Sequence, residues 1–89
     1  MELLKVSSKS NPGAVAGAIA GSIRASGSTE VQALGAGAVN IAVKSIAIAS
    51  SFLTPEGISI FCVPSFAAVS TEDGRELTAI SFKIESRKD

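Results

Sequence analysis

The sequence predicts a single α/β (α+β) domain of order β-α-β-α-β-β, with a mixed four-stranded sheet carrying two helices on one face. Three observations lead there. Two segments show helical spacing of apolar residues and each follows a β-prone run; Gly- and Pro-containing breaks separate these elements; and two closing β-prone runs flank an Asp-Gly pair. Strands alternating with helices favour a parallel first pair with right-handed crossovers, and the terminal hairpin adds an antiparallel pair.

The first strand is expected over residues 3–9, where Leu4 and Val6 alternate with Lys5 and Ser7. Asn11 then caps a helix and Pro12 fits its first turn, because the missing N–H of proline is not needed there. Val15, Ile19 and Ile23, with Ala18 and Ser22 beside them, form an apolar face that ends near Gly27. A short β-prone run covers residues 29–36, broken by Gly35-Ala36-Gly37. The second helix is expected from Ala38 to about Leu53 on a stripe of Val39, Val43, Ile46, Ser50 and Leu53, with Pro55-Glu56-Gly57 stopping it. Residues 58–70 and 75–86 form the hairpin strands around Glu72-Asp73-Gly74. No repeat or linker interrupts this order, so residues 1–89 form one domain.

Composition bounds the function. Hydrophobic residues are 46% and charged residues 18%, which excludes a disordered chain, and aromatics are only 4%. Eight Lys and Arg balance eight Asp and Glu, so the basic excess of a strong nucleic-acid binder is missing. Cys62 has no partner for an intramolecular disulfide and is flanked by Ile60, Phe61 and Val63, which fits a buried thiol in a reducing compartment. The start of the chain reads as a strand, without a signal peptide's basic and apolar regions. The longest uncharged runs, residues 10–23 and 57–71, are shorter than the roughly 18 apolar residues of a membrane span. A cytoplasmic protein with no membrane segment is the expectation.

The chain has no histidine, which removes Ser-His and Cys-His nucleophile pairs and the commonest metal ligand. Its carboxylates, among them Glu2, Glu30, Glu72, Asp73 and Asp89, are scattered, so neither a general acid-base pair nor a metal cluster is suggested. No catalytic residue, metal, cofactor or small-molecule substrate is therefore expected. The run Gly35-Ala36-Gly37-Ala38-Val39-Asn40 lies where a dinucleotide fingerprint would, but Asn40 replaces its third glycine, and a tight strand-to-helix turn is the better account.

If the first two strands are parallel, residues 8–12 and 35–40 lie at one end of the sheet, each opening a helix whose N–H groups and dipole attract anions. Lys9 precedes one helix and Lys44 stands about one turn into the other. They read either as flanks of a phosphate seat or as ordinary solvated surface. Gly13, Gly17 and Gly21 recur every four residues, which suggests close approach of the first helix to a neighbour. Ile41 and Ile48 fall off the apolar stripe of the second helix and are candidates for a subunit interface in a homodimer or larger oligomer.

The runs from Lys5 to Pro12, Val15 to Gly21, Gln32 to Asn40 and Ala42 to Ala49, continued by Cys62-Val63-Pro64-Ser65-Phe66 and Thr78-Ala79-Ile80, closely resemble the stage V sporulation protein S family over nearly the whole chain. The resemblance implies a non-enzymatic regulator of spore-forming bacteria and their relatives, with a fold like that of the Alba family of nucleic-acid-binding proteins. Alba-like proteins are dimers that contact DNA or RNA through the loop before the first helix, the start of the second helix and the hairpin. Those places hold Lys9, Ser10 and Asn11, then Asn40 and Lys44, then Arg75 here. The hairpin reads as short. Ile41, Ser50 and Leu77 stand where the family commonly has Gln, Arg and Arg, which implies weaker binding. The alternative is a protein-interaction regulator that uses an apolar surface around Ile41 and Ile48.

Overall fold

In the computed structural model, which describes residues 2–88, the elements follow the expected order. They are β1 (Glu2–Val6), α1 (Pro12–Ser26), β2 (Ser28–Ala33), α2 (Ala36–Leu53), a short 3-10 turn (Thr54–Glu56), β3 (Ile58–Ser70) and β4 (Glu76–Lys88). Asp89, read above as a scattered terminal carboxylate, lies outside the described residues. The sheet order is β1-β2-β4-β3, with β1 and β2 parallel and both remaining pairs antiparallel.

α1 begins and ends where its local chemistry dictates. The Asn11 side chain accepts a hydrogen bond from the Ala14 N–H at 3.1 Å, Pro12 opens the first turn, and Gly27 closes the helix at φ +83°, donating to the Ile23 carbonyl at 2.8 Å. Both helices pack on each other and on one face of the sheet, enclosing a core of Ile19, Ile23, Val31, Leu53, Phe82 and Ile84 with many alanines.

The rotation of α2 about its axis differs from the expected one. Its buried residues are Ala38, Ala42, Ser45, Ala49 and Leu53, whereas Val43 is 51% exposed and Val39 and Ile46 are half-buried. Small side chains face the core because they let the helix axis come close to its neighbours, and the bulkier residues flank that seam. In α1, Ala16 and Ala20 are likewise buried while Ala18 is exposed. The glycine stripe is corrected too: a Cβ on Gly17 or Gly21 would meet no atom within 4 Å, so this face of α1 approaches nothing. Close approach occurs instead at Gly37, where a Cβ would lie 2.9 Å from the Cβ of Ser8.

The hairpin is long. Each of its strands has 13 residues, paired without interruption from Ile58 with Lys88 to Ser70 with Glu76, whereas β2 pairs only with the Ile80–Glu85 stretch of β4. Beyond Ile80 the two strands project as a ribbon with no third strand, which helps stretch the molecule to 45 × 21 × 17 Å. Its tip is closed by the Thr71 N–H donating to the Arg75 carbonyl at 2.8 Å, with Gly74 at φ +84°. β3 is also a free edge of the sheet, and Pro64 sits in its middle.

Residues Ala36–Glu56 are long and apolar enough to cross a membrane by length and composition, contrary to the estimate from uncharged runs, which Lys44 had cut short. In this fold the same stretch lays its small-residue face on the sheet.

Candidate functional site

Because β1 and β2 run parallel, the loops leaving them emerge at one end of the sheet, and both helices start there. The contact of Gly37 with Ser8 shows that the two loops touch. The first is a compact turn: the Ser7 N–H donates to Ser10 Oγ at 3.0 Å, the Lys9 N–H to Ser7 Oγ at 3.2 Å, and the Ser10 N–H to the Ser7 carbonyl at 3.1 Å. Ser10 and Asn11 are thus engaged in shaping the loop and capping α1, while the Lys9 side chain points into solvent.

The second loop offers what the first does not. Gly35 is the N-cap of α2 and supplies no side-chain hydrogen bond, and the first helical bond from this end runs from the Val39 N–H to the Gly35 carbonyl. The N–H groups ahead of Val39 lack a side-chain acceptor, and neither helix has an acidic residue in its first turn. Residues 3–29 and 31–55 contain no carboxylate at all, so Lys9 and Lys44 have no acidic neighbour in either loop or either helix start.

The other expected site residues are placed less uniformly. Asn40 is exposed on α2. Lys44 is exposed but is the ninth residue of α2, not one turn in, because the helix begins at Ala36; it lies about 10 Å along the axis from Gly37, on the same flank. Arg75 is at the far tip of the ribbon, 3.1 Å from Asp73 and between Glu72 and Glu76. The structure therefore brings Lys9 to the uncapped start of α2, with Lys44 further along it, and leaves Arg75 apart in an acidic setting. Ile41 and Ile48 are half-buried against the core.

Other polar groups serve the fold. Ser22 donates to Glu2, Ser81 to Glu30 at 2.5 Å, and Arg24 holds Glu56 through a bidentate contact with its shortest distance 2.7 Å. That hydrogen bond raises the Arg24 pKa and lowers that of Glu56. The Asp73 carboxyl is lowered chiefly by the Thr71 hydroxyl. Cys62, expected to be buried, is half-exposed. Among the described residues no three His, Cys, Asp or Glu side chains come together as a metal site.

Sequence reasoning missed the large exposed side chains of the hairpin. Phe66 is 81% exposed, Val63 57% and Phe61 45%, with the Arg87 guanidinium 5.9 Å from the Phe61 ring centre. An unbroken apolar run reads as core strand, but Phe61 and Val63 alternate onto the sheet face away from the helices, and Phe66 sits where the hairpin begins to outrun the strands beside it.

Comparison with protein-family models finds a match to stage V sporulation protein S over residues 2–87, a range that takes in both strand-to-helix loops, both helices and the whole ribbon. With the order and pairing of its elements described above, the chain belongs to the stage V sporulation protein S family.

Proposed function

We propose that, within the sporulation-related role that membership in this family implies, the protein is a non-catalytic cytoplasmic regulator that makes weak, sequence-nonspecific contacts with the phosphate backbone of DNA or RNA. The observation that carries this reading is the uncapped start of α2, in contact with the Lys9 loop and free of carboxylates. Unpaired N–H groups beside a cation favour a phosphate oxygen, and the ribbon that leaves the sheet at this same end carries Glu72, Asp73 and Glu76 around its tip, an acidic setting that opposes reading bases in a groove. Arg75 contributes little here, since its charge is met by Asp73.

The test is fluorescence anisotropy with labelled duplex and single-stranded probes over a range of salt. Lys9 and Lys44 allow about two phosphate contacts per chain, so log affinity should fall against log salt with a slope near 2, or near 4 if two copies act together, at about 0.9 per phosphate on duplex DNA. Lys9→Glu should weaken binding and flatten the slope without lowering thermal stability. No binding by the wild-type protein at low salt would overturn the proposal.

A further inference from the structure

The edge of the sheet opposite the hairpin is open as well. β1 is the outermost strand on that side and pairs only with β2, so alternate backbone N–H and C=O groups along Glu2–Val6 point outward with no strand to receive them. Above that edge α1 presents Ala14, Ala18, Gly21 and Ala25, whose spacing keeps them in one line along a helix. Two hollows lie between this line and β1, one of about 230 Å³ over Leu4, Lys5 and Val6 and one of about 430 Å³ beside Glu2, and they meet at Ala18. A Cβ on Gly21 would find no atom within 4 Å, so the groove is open there. From Ala14 to Ala25 it runs about 16.5 Å at 1.5 Å per residue, the length of about five extended residues, and β1 has five.

Charge gives the groove a direction and identifies what fits it. Glu2 stands at one end and Lys5 toward the other, and neither takes part in the ion pairs among the described residues, which are Arg24 with Glu56 and Arg75 with Asp73. Glu2, Leu4 and Val6 share the face of Thr29, Val31 and Ala33, turned toward the helices, whereas Leu3 and Lys5 lie on the bare face of the sheet. A strand continuing the sheet at this edge therefore needs a cation beside Glu2, apolar side chains beside Leu4 and Val6 to fill the hollows, and a carboxylate beside Lys5 on the opposite face. A second copy of this chain does not supply that pattern. Two copies of β1 paired antiparallel about a two-fold axis set opposite residues on the same face, so Glu2 meets only Glu2, Leu4 or Val6 of its twin, and Lys5 only Leu3 or Lys5. Lys5 also deters unselected strands, as a lysine on a sheet edge does.

We propose that this edge receives an extended segment of a different protein, added to β1 as a further strand of the sheet and seated against the Ala18 and Gly21 face of α1. The segment carries apolar side chains at alternate positions, a Lys or Arg at the Glu2 end and an Asp or Glu at the Lys5 end. In strand addition of this kind main-chain hydrogen bonds supply the affinity, while the side chains against the helix and the two charges supply the selectivity. The segment touches neither Lys9, Lys44 nor the start of α2, so this proposal and the phosphate reading fail separately.

The probes are two fluorescein-labelled peptides with blocked ends, built on Val-Glu-Ile-Thr-Lys and on its reverse, Lys-Thr-Ile-Glu-Val, because a strand can be added in either direction. One of them should bind the full chain in anisotropy titrations, and amide hydrogen exchange should then slow in β1 and stay unchanged in β3. Gly21→Gln puts a side chain into the groove and should weaken that binding by about tenfold or more. Its Tm should hold or rise, since Gln is a better helix former than Gly and its Cβ meets no atom there. Glu2→Lys should weaken binding by about threefold or more, and the peptide with Glu in place of its Lys should recover it. No binding of either peptide at about 1 mM, protection of β3 instead of β1, unchanged binding by folded Gly21→Gln, or a Glu2→Lys loss that the charge-reversed peptide does not recover would overturn the proposal.

Discussion

Replacing three glycines by alanine, one at a time, separates the two surfaces of the helical layer. Gly17 and Gly21 lie inside α1 with nothing within 4 Å of an added Cβ, so alanine there gains its full helical preference, about 0.8–1.0 kcal/mol each. In a chain of this size that corresponds to a rise in Tm of about 3–8 °C per substitution. At Gly37 the same methyl would stand 2.9 Å from Ser8 Cβ and 3.8 Å from Ser8 Cα. Ser8 Cβ is one bond from the main chain, so no rotamer change relieves the contact and the β1–α1 loop must shift, at a cost of about 1–3 kcal/mol. Gly37 is in the first turn, where the helical gain is smaller, and the net effect should be a Tm lower by about 4–10 °C, with weaker anion binding because the Lys9 loop is pushed away from α2. Thermal unfolding of the three variants at equal concentration measures this. A Gly37→Ala protein as stabilised as Gly17→Ala would refute the reasoning, and a destabilised Gly17→Ala would show that the α1 face is covered after all.

Leu53 is fully buried at the end of α2, so Leu53→Ala should cost about 2–5 kcal/mol in chemical denaturation. Glu56 has its folded pKa lowered by the Arg24 hydrogen bond, so its contribution is present above the unfolded carboxyl pKa and is lost as pH falls through the lowered value; in Arg24→Ala this acid-side loss should vanish from the stability profile. The Cys62 thiol should react with a labelling reagent more slowly than a free thiol yet measurably in the folded state, and a rate no faster than that of global unfolding would contradict its half-exposed position.

What the sequence revealed, and what it hid, follows from how local each signal is. Asn11-Pro12 at the start of α1, Gly27 at its end and Asp73-Gly74 in the hairpin act within a few residues, and all three are realised. The rotation of α2 is not local. Hydrophobic size points to Val43, but in a core of many alanines the deciding factor is how near the helix can come to the sheet, and that selects Ala38, Ala42 and Ala49. The meeting of the two loops was legible once β1 and β2 were taken as parallel, whereas the uncapped start of α2 required the true helix boundary, two residues earlier than the periodicity placed it. Ile41 and Ile48 were chosen as exposed by the same misjudged rotation.

Pro64 gives the free edge of β3 a further meaning. Proline is tolerated within a sheet where its nitrogen faces away from the neighbouring strand, so the missing donor falls on the open side. A 13-residue edge rich in Ile, Val and Phe would otherwise be a template on which strand after strand from other molecules could stack without limit. The gap at its centre interrupts such growth. Pro64→Val should therefore leave the folded protein intact and shorten the lag before it forms fibrils binding thioflavin, a slow kinetic failure that equilibrium stability measurements would not reveal.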